Sequence, residues 1–275
     1  MSDRRPIGVF DSGFGGLSAV RELRRLLPGE ELVYLGDNAR IPYGDRTPQT
    51  ICEYARQDAA FLLSRGVKAI LAACGTVSSV ALQELQQAIE VPVVGVIEPA
   101  ARQALGQSST GIIGVMGTPA TVRSGAYEKT LKALGGPGVQ VVSVACPLLV
   151  PLVENGYVAT DCAITRLAVE EYLQPMRQQG ADVIILGCTH YPLIRSLIAD
   201  VWQRDALINT GLEAAKELAC LLEKKGALSD SAAHGALQLF TSERPEGLGE
   251  KAAVFLGGEP ACPSFERVDL LAYSL

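Results

Sequence analysis

Short apolar runs alternate along this chain with longer stretches whose apolar positions recur every three to four residues. That alternation is the mark of βα units feeding a parallel sheet. The runs predict strands at Ile7–Phe10, Leu32–Leu35, Ala69–Ala73, Val93–Ile97, Ile112–Met116, Val139–Ala145, Asp182–Leu186 and Ala206–Ile208. Between them the period predicts helices over Leu17–Leu27, Thr50–Ser64, Ser78–Ile89, Ala120–Leu134, Thr160–Gln178, Pro192–Arg204 and Leu212–Lys225. Gly66, Gly135 and Gly180 stand where helix stops are expected. After a small-residue loop around Ser229–Ala236, a strand pair is expected near Leu237–Thr241 and Ala252–Leu256.

A chain of 275 residues suits two α/β lobes at ~150 residues per domain. Its 48% hydrophobic and 20% charged content excludes disorder and collagen-like repetition. Charge arithmetic gives 24 basic minus 30 acidic residues, or −6, so no nucleic-acid partner is expected. The apolar runs fall far short of the ~20 residues of a membrane span, and Met1–Pro6 leads into the first run without a signal-peptide core. A cytoplasmic protein is expected. Seven cysteines, at 52, 74, 146, 162, 188, 220 and 262, are too sparse and too odd in number for a disulfide framework. No pair has zinc-site spacing and only His190 and His234 are available, so no metal is expected. Cys52, Cys162 and Cys220 fall in helical patterns and read as small buried hydrophobes.

The chain also repeats itself weakly. Ala69-Ile70-Leu71-Ala72-Ala73-Cys74-Gly75-Thr76 echoes Val183-Ile184-Ile185-Leu186-Gly187-Cys188-Thr189, and Ile7–Ser12 echoes Ile113–Thr118. The offsets, 188 − 74 = 114 and 113 − 7 = 106, fit two copies of one domain with a small insertion. The expected fold is therefore α/β, with two pseudo-symmetric lobes, each a mostly parallel sheet flanked by helices. Residues 1–97 with 212–275 would form the first lobe and 98–211 the second, leaving a cleft at the carboxyl ends of both sheets. A cysteine where a strand gives way to a helix sits near the positive end of the helix dipole, which depresses a thiol pKa from ~8.5. Two such cysteines at equivalent places put a thiol on each side of a ligand, as inversion at a carbon requires.

At these positions the chain resembles the cofactor-independent aspartate/glutamate racemase superfamily, and within it the glutamate racemases. The resemblance rests on Phe10-Asp11-Ser12-Gly13-Phe14-Gly15-Gly16-Leu17, Gly36-Asp37 with Arg40-Ile41-Pro42-Tyr43-Gly44, Ala73-Cys74 with Thr76, Thr118 with Thr121 and Ser124, Cys146-Pro147-Leu148 to Val153-Glu154, and Gly187-Cys188-Thr189-His190-Tyr191-Pro192-Leu193. It covers about the first three quarters of the chain. It implies interconversion of L- and D-glutamate for peptidoglycan, without a cofactor, in a homodimer. By the same resemblance Cys74 deprotonates the D-isomer and Cys188 the L-isomer. Asp11 and His190 assist them, with Glu154 supporting the Cys188 side. Ser12, Thr76, Thr118, Thr121 and Thr189 are candidate substrate contacts, and the turn Pro42-Tyr43-Gly44 offers N–H groups to the side-chain carboxylate. A negative Asp11 would raise the Cys74 pKa, so an ammonium contact or proton relay suits it better than thiolate stabilisation.

Gly75 departs from the pattern, which carries asparagine there. Losing that amide contact would cost ~1–3 kcal/mol, and restoring it by Gly75→Asn is expected to raise kcat/KM. The departure keeps two alternatives open: use of aspartate or a related amino acid, and a lapsed enzyme retained for binding. A third reading comes from Gly13-Phe14-Gly15-Gly16-Leu17-Ser18 after the first strand, which mimics a dinucleotide fingerprint with Asp37 as the ribose acid. Ser18 occupies its third glycine's place.

Overall fold

The computed structural model describes residues 2–258 and 264–275, so Cys262 lies outside the described residues. In the first lobe the order is β1 (Ile7–Asp11), α1 (Leu17–Leu26), β2 (Leu32–Gly36), α2 (Pro48–Ser64), β3 (Ala69–Ala72), α3 (Gly75–Val80), α4 (Leu82–Ala88) and β4 (Val93–Gly95). Helix α5 (Ile97–Gln107) leads to β5 (Ile112–Gly117), α6 (Pro119–Ser124), α7 (Ala126–Gly135), β6 (Gln140–Ala145), α8 (Leu149–Glu154) and α9 (Ala163–Gln178). Then come β7 (Val183–Leu186), α10 (Arg195–Trp202), β8 (Leu207–Asn209), α11 (Thr210–Lys224), β9 (Leu237–Thr241), α12 (Leu248–Leu256) and β10 (Phe265–Arg267).

Two sheets result, one ordered β10-β9-β2-β1-β3-β4 and the other β6-β5-β7-β8, with every adjacent pair parallel. The repeat is visible in this order: β2-β1-β3-β4 corresponds to β6-β5-β7-β8, and β9 and β10 extend the first sheet alone. Strands β1, β2, β3 and β7 are buried throughout, as a parallel sheet covered on both faces requires. Their side chains alternate between faces. Ile7, Val9, Ala69 and Leu71 pack with α1 and α11, while Phe10, Ile70 and Ala72 pack with Ile51, Phe61 and Leu62 of α2.

Several predicted elements need correction. Ala252–Leu256 is helix, not strand: in α12 the buried positions are 248, 249, 252, 255 and 256, a helical spacing. The expected strand pair is instead β9 and β10, which run parallel because α12 crosses between them. Strand β4 stops at Gly95, and Ile97 opens α5, a helix absent from the predicted set. The helix predicted over Ser78–Ile89 starts at Gly75 and divides at Ala81, and that over Ala120–Leu134 divides at Gly125, whose φ of 63° suits glycine. The stretch from Tyr191 opens as a 3-10 turn, Tyr191–Ile194, before α10. Of the three cysteines read as buried, Cys52 and Cys162 are half-buried and Cys220 is exposed.

Candidate active site

In parallel sheets the carboxyl ends of all strands face one way, and here the two sheets turn those ends toward one cleft of about 290 Å³. Cys74 lies two residues beyond the last residue of β3, and Cys188 two beyond the last of β7, its counterpart in the other sheet. Both cysteines line the cleft, one from each lobe. From the first lobe Ser12, Pro42, Tyr43, Gly44, Gly75 and Thr76 also line it. The second lobe contributes Thr118, Glu154, Thr189 and His190. Asp11 and Thr121 stand behind this lining, Asp11 bonded to Gly13 and Thr121 to Thr118. His234 lies in the loop before β9, away from the cleft residues.

Around Cys74 the neighbours are Ser12 and Asp11. The thiol lies 3.6 Å from the Ser12 hydroxyl. Asp11 ends β1 with its carboxylate turned inward: Oδ2 accepts from the N–H groups of Gly13 (3.2 Å) and Gly16 (3.1 Å), while Oδ1 is buried without a partner. Burial pushes the Asp11 carboxyl up, against the pull of the His190 charge and the backbone N–H groups. Burial, and then the Asp11 charge, push the Cys74 thiol up to about 12. The depression expected from a helix start does not materialise, because α3 has only six residues and its pull is outweighed. Cys74 therefore rests as a neutral thiol.

Around Cys188 the neighbours are basic. His190 Nδ1 is 3.8 Å from the Cys188 sulfur, and its Nε2 is 3.0 Å from Glu154 Oε1. Burial disfavours charge on this imidazole, but hydrogen bonds with Cys188 and Glu154 prevail and raise it from 6.5 to about 10. His190 is thus a cation at neutral pH. The His190 hydrogen bond holds Glu154 below the usual carboxylate range against its own burial, with the charges of His190 and Lys251 adding to the effect.

Hydroxyls bridge the lobes at the floor of the cleft. Thr76 Oγ1 is 3.2 Å from Thr118 Oγ1, which is 3.0 Å from Thr121 Oγ1, and Thr118 also caps α6 through the Thr121 N–H. On the other side the Ser18 hydroxyl donates to the Thr189 carbonyl at 3.1 Å. Glycine permits two close approaches across the cleft. A Cβ on Gly15 would lie 2.0 Å from Thr189 Oγ1, and one on Gly75 would lie 2.6 Å from the Gly187 carbonyl oxygen. The second figure opposes the gain expected from Gly75→Asn, since backbone does not swing aside as a side-chain tip can. Gly75 is the residue that lets β3 and β7 ends meet this closely.

Other readings change too. Asp37 does not face the glycine-rich loop as a ribose acid would. It is buried, paired with Arg40 and bonded to Tyr43 and Ser242. Cys146, just past β6, lines the cleft as well, and burial pushes its thiol up. Asn209 and Thr210 cap α11 and tie it to the Leu186 carbonyl. Sequence reasoning missed Phe255 of α12, whose ring meets His190 edge-on at 5.3 Å and stacks on Phe14 at 6.5 Å. It also missed the apolar wall of Ile41, Val150 and Pro151. The helical period of 248–256 was the available signal for Phe255. Among the described residues no group of three or more His, Cys, Asp or Glu is arranged to hold a metal ion, and no helix is long and apolar enough to cross a membrane.

Comparison with known proteins places these features in context. A sequence profile described as "Asp/Glu/Hydantoin racemase" matches residues 7–218. A glutamate racemase of Geobacter metallireducens is 41% identical over 256 residues, covering 93% of this chain and 94% of that protein. A glutamate racemase of Streptococcus pneumoniae is 47% identical over 221 residues, covering 80% of this chain and 82% of that protein. Among solved structures, glutamate racemase from Francisella tularensis in complex with D-glutamate superposes with a TM-score of 0.90 at 36% identity, covering 98% of this chain and all of that one. Duplicated sheets, paired cysteine-bearing strand ends and a profile match from β1 into α11 converge on one conclusion: the chain belongs to the Asp/Glu/hydantoin racemase family.

Proposed function

We propose that this protein is a glutamate racemase, interconverting L- and D-glutamate by passing a proton across the α-carbon between Cys188 and Cys74. The observation that carries the reading is a pair of thiols lining one cleft from opposite lobes, Cys188 beside the cation His190 and Cys74 beside the acid Asp11. Beside Cys188 stands the cation His190, 3.8 Å from the sulfur, and the thiolate is the form of a cysteine that abstracts a proton. Across the cleft Cys74 rests as a thiol, the form that donates one. A proton taken from the L-isomer by Cys188 and one delivered to the opposite face by Cys74 give D-glutamate. The D-isomer requires the reverse assignment, with Asp11 Oδ1, buried and unpartnered, taking the Cys74 proton and His190 supplying the proton that Cys188 delivers.

Substrate binding follows from the polar lining. Ser12, Thr76 and Thr189 face the α-carboxylate and α-ammonium, with Thr118 and Thr121 holding Thr76 in place. The N–H groups of Tyr43 and Gly44 serve the distal carboxylate. Fixed donors at the α-carboxylate also stabilise the enediolate-like charge that builds up as the α-proton leaves. The same proposal includes supply of D-glutamate to peptidoglycan, a cytoplasmic location and a homodimer, the last to be checked by light scattering in solution. The decisive test is incubation of each glutamate enantiomer in D₂O, with proton NMR of the α-hydrogen and chiral chromatography as readouts. Exchange together with inversion is the expected result, and neither would occur in a lapsed enzyme.

A further inference from the structure

Behind the turn that carries Tyr43 and Gly44 lies a buried knot of acids that the reaction itself does not use. The side chains of Asp37 and Asp58 are fully buried. Asp37 receives three donors: the Tyr43 hydroxyl and Arg40 Nε on Oδ2, and the Ser242 hydroxyl at 2.6 Å on Oδ1. Asp58, on α2, accepts only Arg40 on Oδ1, at 3.1 Å, while its Oδ2 lies 3.0 Å from the same Tyr43 oxygen. Arg40 also bonds Gln57 and lies over the Tyr54 ring, 4.0 Å from its centroid, so its planar head cannot turn to serve other acceptors.

Proton counting decides the state of this knot. Tyr43 has one hydroxyl hydrogen but two carboxylate oxygens within hydrogen-bonding reach, and each contact needs a hydrogen between the oxygens. Both oxygens of Asp37 are already taken by its three donors, so Asp37 accepts. The second hydrogen must come from Asp58. We infer that Asp58 works as a neutral acid, donating through Oδ2 to Tyr43, which in turn donates to Asp37, and that this chain positions the Pro42–Gly44 turn for the distal carboxylate of the substrate. The electrostatic surroundings agree: burial first, then the Asp37 charge, push Asp58 well up, with Asp11 adding and Arg40 and Tyr43 opposing. Asp58 is a positioning residue, acting on substrate only through Tyr43.

This inference rests on the glutamate reading and deepens it, since a fixed turn sets the length of dicarboxylate that fits. The test is steady-state kinetics on glutamate, with aspartate as competitor substrate, for Asp58→Asn, Asp58→Ala and Tyr43→Phe. Asparagine reproduces the neutral acid's pattern, accepting from Arg40 and donating to Tyr43, so its KM should stay within about twofold of wild type. Alanine removes the donor, and KM for glutamate should rise about tenfold or more with kcat changed less than about threefold. Tyr43→Phe cuts the same chain and should match Asp58→Ala, and it carries the test should the alanine variant fail to fold. Preference for glutamate over aspartate should fall in both. An Asp58→Asn variant as impaired as Asp58→Ala, or an unchanged KM in Tyr43→Phe, overturns the proposal while leaving the racemase reading standing. A wild-type protein inert toward both glutamate enantiomers overturns the racemase reading, and this proposal with it.

Discussion

Around Cys74 the nearest ionisable partner is an acid, Asp11; around Cys188 it is a base, His190, itself braced by Glu154. The two cysteines occupy equivalent places beyond equivalent strands of duplicated lobes. The difference comes from the chain on either side of each strand. After β7 the chain turns directly through Thr189 to His190, whereas after β3 it enters α3 and supplies no charged side chain. Cys74 instead meets the end of β1, where Asp11 stands. Duplication thus makes the pair of thiols, and local divergence sets an acid beside one and a base beside the other. Symmetry of sulfur position goes with asymmetry of charge.

Removing either sulfur should break the comparison outright. Cys74→Ser and Cys188→Ser are each expected to lower racemisation by more than about a thousandfold, measured by chiral chromatography. Full racemisation by either variant would refute the paired roles. Next in size is His190→Asn, expected to cost about a hundredfold in kcat/KM. The substrates are mirror images of equal free energy, so kcat/KM must fall equally in both directions. The asymmetry should instead appear in α-deuterium isotope effects, larger than wild type from L-glutamate and smaller from D-glutamate. An equal change from both enantiomers would mean that His190 serves the two thiols alike.

Gly75→Asn comes third, with a loss of about tenfold in kcat/KM from the clash with the Gly187 carbonyl. A gain would show that the lobes separate easily at this point. Titration sharpens the contrast further. His190 is raised to about 10 from 6.5, so its contribution to stability is complete below pH 6.5 and is lost as pH rises through about 10. Thermal unfolding should show that loss in wild type and not in His190→Asn. The smallest effect belongs to Glu154→Gln, about threefold in kcat/KM, because the Glu154 side chain is 31% exposed and water screens its charge.

Most of the framework was legible because strands covered on both faces must be continuously apolar, and the polar residues at their ends then stand out. Cys74 and Cys188 could be singled out on that ground before any coordinates, and Asp11 through the family resemblance. The charge states could not. The shift of Cys74 depends on how deeply it is buried and on where Asp11 points, and neither is encoded locally. Helix α12 was misread because its short run Ala252–Leu256 satisfies a strand pattern until Leu248 and Gly249 are counted with it. Phe255 was lost with it. Gly75 looked like a missing amide, and only the position of the Gly187 carbonyl shows it as a contact between lobes. Asp58 carried no signal at all, since one acid inside the helical pattern of α2 looks like a solvated face.

The order of strands in the larger sheet also governs how the protein must be made. Strand β2 pairs on one side with β1 and on the other with β9, which begins at Leu237, after every strand of the smaller sheet has been synthesised. On the ribosome the smaller sheet can therefore close while β2 still offers an open edge, a template for pairing with other chains. The last strands to emerge seal that edge. Stalled or truncated products should aggregate through the early lobe, although the cysteine-bearing segments are already present in them.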